Sequence, residues 1–122
     1  MWGETFATRL VPGAVVALYG GLGAGKTTLI KGVVSKMAGV PPNEITSPTF
    51  TYLNIYESIY HFDLYRLRDE GEFRALGFEE YLEAGGVCLI EWPERITSLL
   101  PAHTLALYLT HVDEHTREIR VA

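Results

Sequence analysis

The sequence predicts an α/β domain built on a mixed, mainly parallel sheet, and three observations point there. Two short runs, Ala14–Tyr19 and Val87–Ile90, are apolar on both faces, the pattern of strands covered on both sides by helices. Strand-like and helix-like segments alternate along the chain, which favours parallel pairing through crossover connections. A glycine-rich loop, Gly20 to Gly25, joins the first strand to the first helix.

Taken in order, Gly13 to Tyr19 reads as a buried strand, followed after the loop by a helix from about Lys26 to Ala38. Leu29, Ile30, Val33, Val34 and Met37 fall on one apolar face of that helix, with Met37 expected in the core. Gly39 suits a left-handed cap, and Pro41-Pro42 prevents continuation. Asn43 to Pro48 is polar and reads as a loop. Thr51–Tyr56 and Ser58–Leu64 alternate as strands joined by a tight turn near Glu57-Ser58, so antiparallel pairing is expected there. Arg66 to Glu83 has helical composition, interrupted at Gly77 and closed by Gly85-Gly86. Val87–Ile90 is the second buried strand, and Thr104–Thr110 and Glu118–Ala122 are the last two.

Composition narrows the possibilities. The 122 residues are 48% hydrophobic and 20% charged, which suits one domain with a real core and excludes a disordered chain. Neither a membrane-spanning run nor a signal peptide is legible, and Cys88 alone supports neither a disulfide within the chain nor a zinc cluster. Cys88 reads as a small buried hydrophobe, and a cytoplasmic location is expected. A net charge of −5 argues against a nucleic-acid glove. The charge is uneven: residues 1–41 carry four cations against Glu4, whereas residues 61–83 carry seven acids against three arginines. A solvated helical surface is the ordinary explanation of that acidic stretch; a docking face for a basic partner is the alternative.

Gly20-Gly21-Leu22-Gly23-Ala24-Gly25-Lys26-Thr27 matches G-x-x-x-x-G-K-[ST] between a strand and an amphipathic helix. Its chemistry is phosphate binding. Glycines let successive backbone N–H groups turn inward, and the helix N-terminus adds partial positive charge. Lys26 would reach the β- and γ-phosphates, Thr27 would contribute its hydroxyl to Mg²⁺, and Thr28 would donate to the α-phosphate. The fold class sharpens to a P-loop NTPase-like three-layer sandwich. Glu91 and Asp63 follow apolar runs where open α/β sheets place ligands, at strand C-termini. Either could bind Mg²⁺ while the other positions the attacking water. His61 shares a strand face with Asp63, and a structural role is favoured for it over a catalytic one. Thr46-Ser47-Pro48-Thr49 lies where a nucleotide-sensing loop would sit, although an ordinary polar turn fits its spacing equally.

No N-K-x-D or D-x-x-G pattern occurs, which disfavours GTP. A small-molecule or nucleotide kinase is the main alternative, but Arg66, Arg68 and Arg74 are the only grouped arginines and no stretch is long enough for a lid. An adaptor that binds ATP without hydrolysing it is a third reading.

GGLGAGKTTLIKG, ITSPTFTYLNIY, HFDLYRL, LGFEEYL and GVCLIEWPERI occur in this order between about Gly3 and Leu100. Together they resemble the TsaE (YjeE) family of P-loop ATPases in bacterial tRNA threonylcarbamoyladenosine (t6A) biosynthesis. The resemblance implies ATP/ADP and Mg²⁺ binding, weak hydrolysis by the subunit alone, and action on the TsaB–TsaD complex. That pair transfers threonylcarbamoyl to adenosine 37 of tRNA, so contact with tRNA would be indirect. By motif, the resemblance assigns phosphate binding to Gly23, Ala24, Gly25, Lys26, Thr27 and Thr28, and Mg²⁺ to Thr27 and Glu91. Asp63 becomes the additional acid, Thr46, Ser47 and Thr49 a switch-type loop, and Trp92 a neighbour of the nucleotide. Members of that family usually begin with a further strand and a polar stretch before the equivalent of Gly3. The expectation for residues 1–122 is therefore a single domain without that strand, its adenine contacts coming from elsewhere, with Arg117 as one candidate.

Overall fold

In the computed structural model, residues 7–20, 25–48, 50–111 and 117–121 are described, residues 111 and 117–121 by their backbone only. Six strands form one sheet: β1 (Val15–Tyr19), β2 (Leu53–Tyr56), β3 (Ile59–Asp63), β4 (Val87–Glu91), β5 (Leu105–His111) and β6 (Arg117–Val121). Their spatial order is β2-β3-β4-β1-β5-β6. The β3–β4, β4–β1 and β1–β5 pairs are parallel, and β2–β3 and β5–β6 are antiparallel hairpins at the two edges. The sheet is therefore mixed and mainly parallel, in a P-loop NTPase-like α/β fold, as the sequence predicts.

Helix α1 (Lys26–Ala38) begins and ends at glycines in the left-handed region, Gly25 at φ 97° and Gly39 at φ 71°. A side chain at either position would meet steric strain, so these glycines fix the helix boundaries. Gly39 donates its N–H to the Ser35 carbonyl, and Lys36 in the last turn complements the helix dipole. Leu29, Ile30, Val33 and Val34 are buried against Val16, Leu18, Ile59, Val87, Leu89 and Leu107 on one face of the sheet. Met37 departs from the expectation of a core residue: it is 37% exposed. It sits in the last turn, where a helix end covers less of the sheet than its middle does.

The segment Arg66–Glu83 is less helical than its composition predicts. Only α2 (Glu70–Ala75) is α-helix; Gly77 turns left-handed at φ 78°, and Phe78–Glu83 continues as a 3-10 helix. Asp69 sets the start of α2 by accepting the Glu72 N–H at 2.8 Å, and Glu72 in turn accepts the Arg68 N–H at 2.8 Å. These local caps compete with a longer helix. On this side of the sheet Phe62, Leu64, Leu67, Phe73, Leu82, Cys88, Ile90 and Ile96 form a second core. Phe62 contacts Phe73, Phe78 and Tyr81 in tilted and edge-to-face geometries at 5.5–6.2 Å. The sheet thus lies between two helical layers.

Parallel register decides what gathers at the C-terminal end of the parallel strands. Asp63 is level with Glu91, and Glu91 with Leu18. Side chains paired in parallel strands share a face, so Ile59-His61-Asp63 and Val87-Leu89-Glu91 run side by side beneath α1. Both series are apolar at one end and acidic at the other, where β1 runs on toward the glycine loop and the start of α1.

Candidate active site

Lys26 is the first residue of α1, and its side chain is turned inward to only 6% exposure. Its Nζ has no hydrogen-bond partner among the described residues and lies 4.3 Å from the centroid of the Trp92 ring. An ammonium buried without a hydrogen bond is costly. The indole face offsets part of that cost by cation–π attraction. The helix start around it is equally unusual. No side chain caps it and no acid stands in its first turn, so its N–H groups and dipole are available to an anion.

Two carboxylates share the site. Glu91, 5% exposed at the end of β4, lies with Oε2 at 2.8 Å from His61 Nε2. Asp63, at the end of β3, is half-buried and accepts the Tyr65 backbone N–H at 3.2 Å. Burial pushes the Asp63 carboxyl above the ordinary aspartate range. The Tyr65 N–H lowers it, the nearby Glu91 charge raises it further, and His61 and Lys26 pull it down. The groups that perturb Asp63 are thus the site itself.

Trp92 follows Glu91 with φ 58° and ψ 49°, a left-handed conformation costing a non-glycine residue about 1–3 kcal/mol. The turn aims the indole at Lys26, and Tyr65 packs edge-on against it, ring centroids 4.9 Å apart at 86°. Arg95 holds the Tyr65 carbonyl through Nη2 at 3.2 Å. Tyr65 and Arg95 are thus supports that the sequence reading passes over. The chain HFDLYRL brings Tyr65 two residues beyond Asp63, and that spacing is the signal that could have found it.

Among the residues singled out from sequence, Lys26, Asp63, Glu91 and Trp92 converge. Gly25 supplies the left-handed turn before Lys26, and Thr27 and Thr28 follow it on the exposed first turn of α1. Thr46 and Ser47 are exposed, and Thr46 is tied to β2: its N–H donates to the Tyr56 hydroxyl at 3.2 Å, and its carbonyl accepts Asn54 Nδ2 at 3.0 Å. Gly23, Ala24 and Thr49 lie outside the described residues, as does the side chain of Arg117.

The family model described as threonylcarbamoyl adenosine biosynthesis protein TsaE matches residues 1–119. The chain belongs to the TsaE family. Among named relatives, the tRNA threonylcarbamoyladenosine biosynthesis protein TsaE of Treponema pallidum is 43% identical over 124 residues, covering 99% of this chain and 90% of the relative. That of Bacillus subtilis is 41% identical over 112 residues, covering 88% and 68%. A crystal structure of Bacillus subtilis YdiB superposes with a TM-score of 0.73 at 34% identity, covering 96% of this chain and 72% of the other. TsaE membership fixes the process as t6A biosynthesis. What this chain contributes to it follows from the charged C-terminal end of the sheet.

The donor set at that end of the sheet suits Mg²⁺. Magnesium prefers oxygen ligands and is commonly bound by one or two carboxylates, with phosphate and water completing its shell. Among the described residues no group of three or more His, Cys, Asp and Glu side chains could hold a metal unaided. A site with few protein ligands, beside a helix start with no side-chain cap and a lysine without a hydrogen-bond partner among the described residues, fits an ion that arrives with phosphates.

Proposed function

We propose that the chain binds and hydrolyses Mg²⁺-ATP at this end of the sheet, as the accessory ATPase of the t6A machinery acting on the TsaB–TsaD complex. One observation carries the reading: the Lys26 ammonium is buried, without a hydrogen-bond partner among the described residues, at a helix N-terminus that has no side-chain cap and lies near two carboxylates. Phosphates would supply an anion for the lysine and the helix start, and their Mg²⁺ a cation for the carboxylates.

Phosphoryl transfer asks a protein mainly for positioning and electrostatic stabilisation. Residues 23–28 would cradle the phosphate chain, with Lys26 on the β- and γ-phosphates and Thr28 donating to the α-phosphate. The Thr27 hydroxyl and Glu91 would hold Mg²⁺, which neutralises charge on the phosphate oxygens. Asp63, its carboxyl raised above the ordinary aspartate range by burial, is suited to orient the attacking water through a hydrogen bond. Trp92 covers one side of Lys26, and Tyr65 packs against the indole to hold it there. Thr46, Ser47 and Thr49 would answer to the γ-phosphate as a switch loop.

The chain would work in the cytoplasm as a single domain and meet tRNA only through its partners. The test is reconstitution of t6A formation with TsaB, TsaD, tRNA and a threonylcarbamoyl donor. Wild-type protein is expected to support repeated turnover with ATP, and Lys26→Ala to fail. Normal t6A formation with Lys26→Ala would overturn the reading. Phosphate appearing on a small acceptor rather than in water would favour a kinase.

A further inference from the structure

We propose that His61 is a positioning residue: its imidazole holds the Glu91 carboxylate in the orientation that receives the metal. The inference rests on the nucleotide reading above and goes beyond it by assigning a residue that touches neither nucleotide nor metal. In the β3–β4 register His61 is level with Leu89 and Asp63 with Glu91, so His61 and Glu91 are diagonal neighbours on one face. Nε2 lies 2.8 Å from Oε2, with the two residues only 2% and 5% exposed. An ionised carboxylate only accepts, so Nε2 carries the hydrogen and donates it. The terminal torsion of a glutamate is otherwise broad; a donor fixed in a β-strand sets it.

A packing role alone does not account for this choice. The cluster on this face is formed by Val16, Leu18, Ile59, Val87 and Leu89, all apolar. An aliphatic side chain at position 61 would extend that surface, but it would leave the buried Glu91 carboxylate without its donor. Histidine instead buries two ring nitrogens and leaves Nδ1 without a hydrogen-bond partner among the described residues. That arrangement is unfavourable unless the bond from Nε2 serves a purpose. Residues that orient metal ligands from behind typically change metal affinity 10–100-fold when removed.

The experiment compares His61→Leu with His61→Gln, whose side-chain N–H₂ can replace the Nε2 donor. Mg²⁺-dependent nucleotide binding is measured by calorimetry, with thermal melts showing that each variant folds. His61→Leu is expected to need on the order of tenfold more Mg²⁺ for half-saturation, and His61→Gln to stay close to wild type. On a Glu91→Gln background, His61→Leu should change the Mg²⁺ requirement no further. A folded His61→Leu protein with the wild-type Mg²⁺ requirement would overturn the assignment and leave the nucleotide reading intact. So would a folded His61→Gln protein as impaired as His61→Leu. No Mg²⁺-dependent nucleotide binding in the wild type would overturn the nucleotide reading, and the assignment with it.

Discussion

Helices α1 and α2 solve the same problem in opposite ways. Each begins with backbone N–H groups that have no partner within the helix. At α2, Asp69 accepts one of them, and Glu70 and Glu72 place negative charge in the first turn. At α1 there is no side-chain cap and no acid, and the first residue is the buried cation Lys26. A start that meets a positive dipole with a positive charge is poor for a free helix. The difference teaches that α2 is completed by its own sequence, whereas the start of α1 is left without a side-chain cap, as the proposed phosphate site requires.

The contrast breaks most easily at Lys26. Lys26→Ala should lower nucleotide affinity by at least tenfold, since hydrogen bonds to charged groups are worth about 1.5–3 kcal/mol. Stability in urea should change by no more than about 1 kcal/mol, because the ammonium loses only its cation–π contact and its burial cost. Asp69→Ala should do the reverse. Loss of the cap should cost about 1 kcal/mol in urea unfolding, and nucleotide affinity should not move.

Smaller effects follow from the acids. The Asp63 carboxyl is raised by burial, so the folded protein holds its proton more tightly than the unfolded chain. Its contribution to stability is therefore present below the ordinary aspartate range and lost as pH rises through the raised value. Asp63→Asn should be more stable than wild type at neutral pH, the gain vanishing in acid; equal stabilities at both pH values would contradict this. Smallest is Glu70, whose carboxyl the Ser98 hydroxyl and then the Ser98 N–H hold below the ordinary range. That contribution is present at neutral pH and lost as pH falls through the lowered value, so Glu70→Gln should flatten the acid limb slightly. Urea midpoints measured from pH 3 to 7 check both acids.

Much of the fold was legible because backbone punctuation and two-faced apolar runs set it. Lys26–Ala38 lies between two glycines that only a left-handed turn explains, and the Val87–Ile90 run cannot be an exposed strand. The Arg66–Glu83 stretch misled because composition cannot weigh the Asp69 cap and the turn at Gly77 against a longer helix. At the site, Lys26, Asp63, Glu91 and Trp92 were legible from motif and strand-end position. The partnership of His61 was not: the sequence puts it beside Asp63 on one strand, but its hydrogen bond crosses to β4 and depends on a register that no local pattern encodes. The left-handed Trp92, set before Pro93, was hidden for the same reason, since its conformation follows from where Lys26 and Tyr65 lie.

The most direct measurement is a backbone amide NMR titration with ATP and Mg²⁺, comparing the two helix starts in one sample. The largest shifts should fall on Gly25, Lys26, Thr27 and Thr28, with Glu70, Gly71 and Glu72 unmoved. Shifts centred elsewhere, or equal at both helices, would contradict the claim that the start of α1 is a phosphate site.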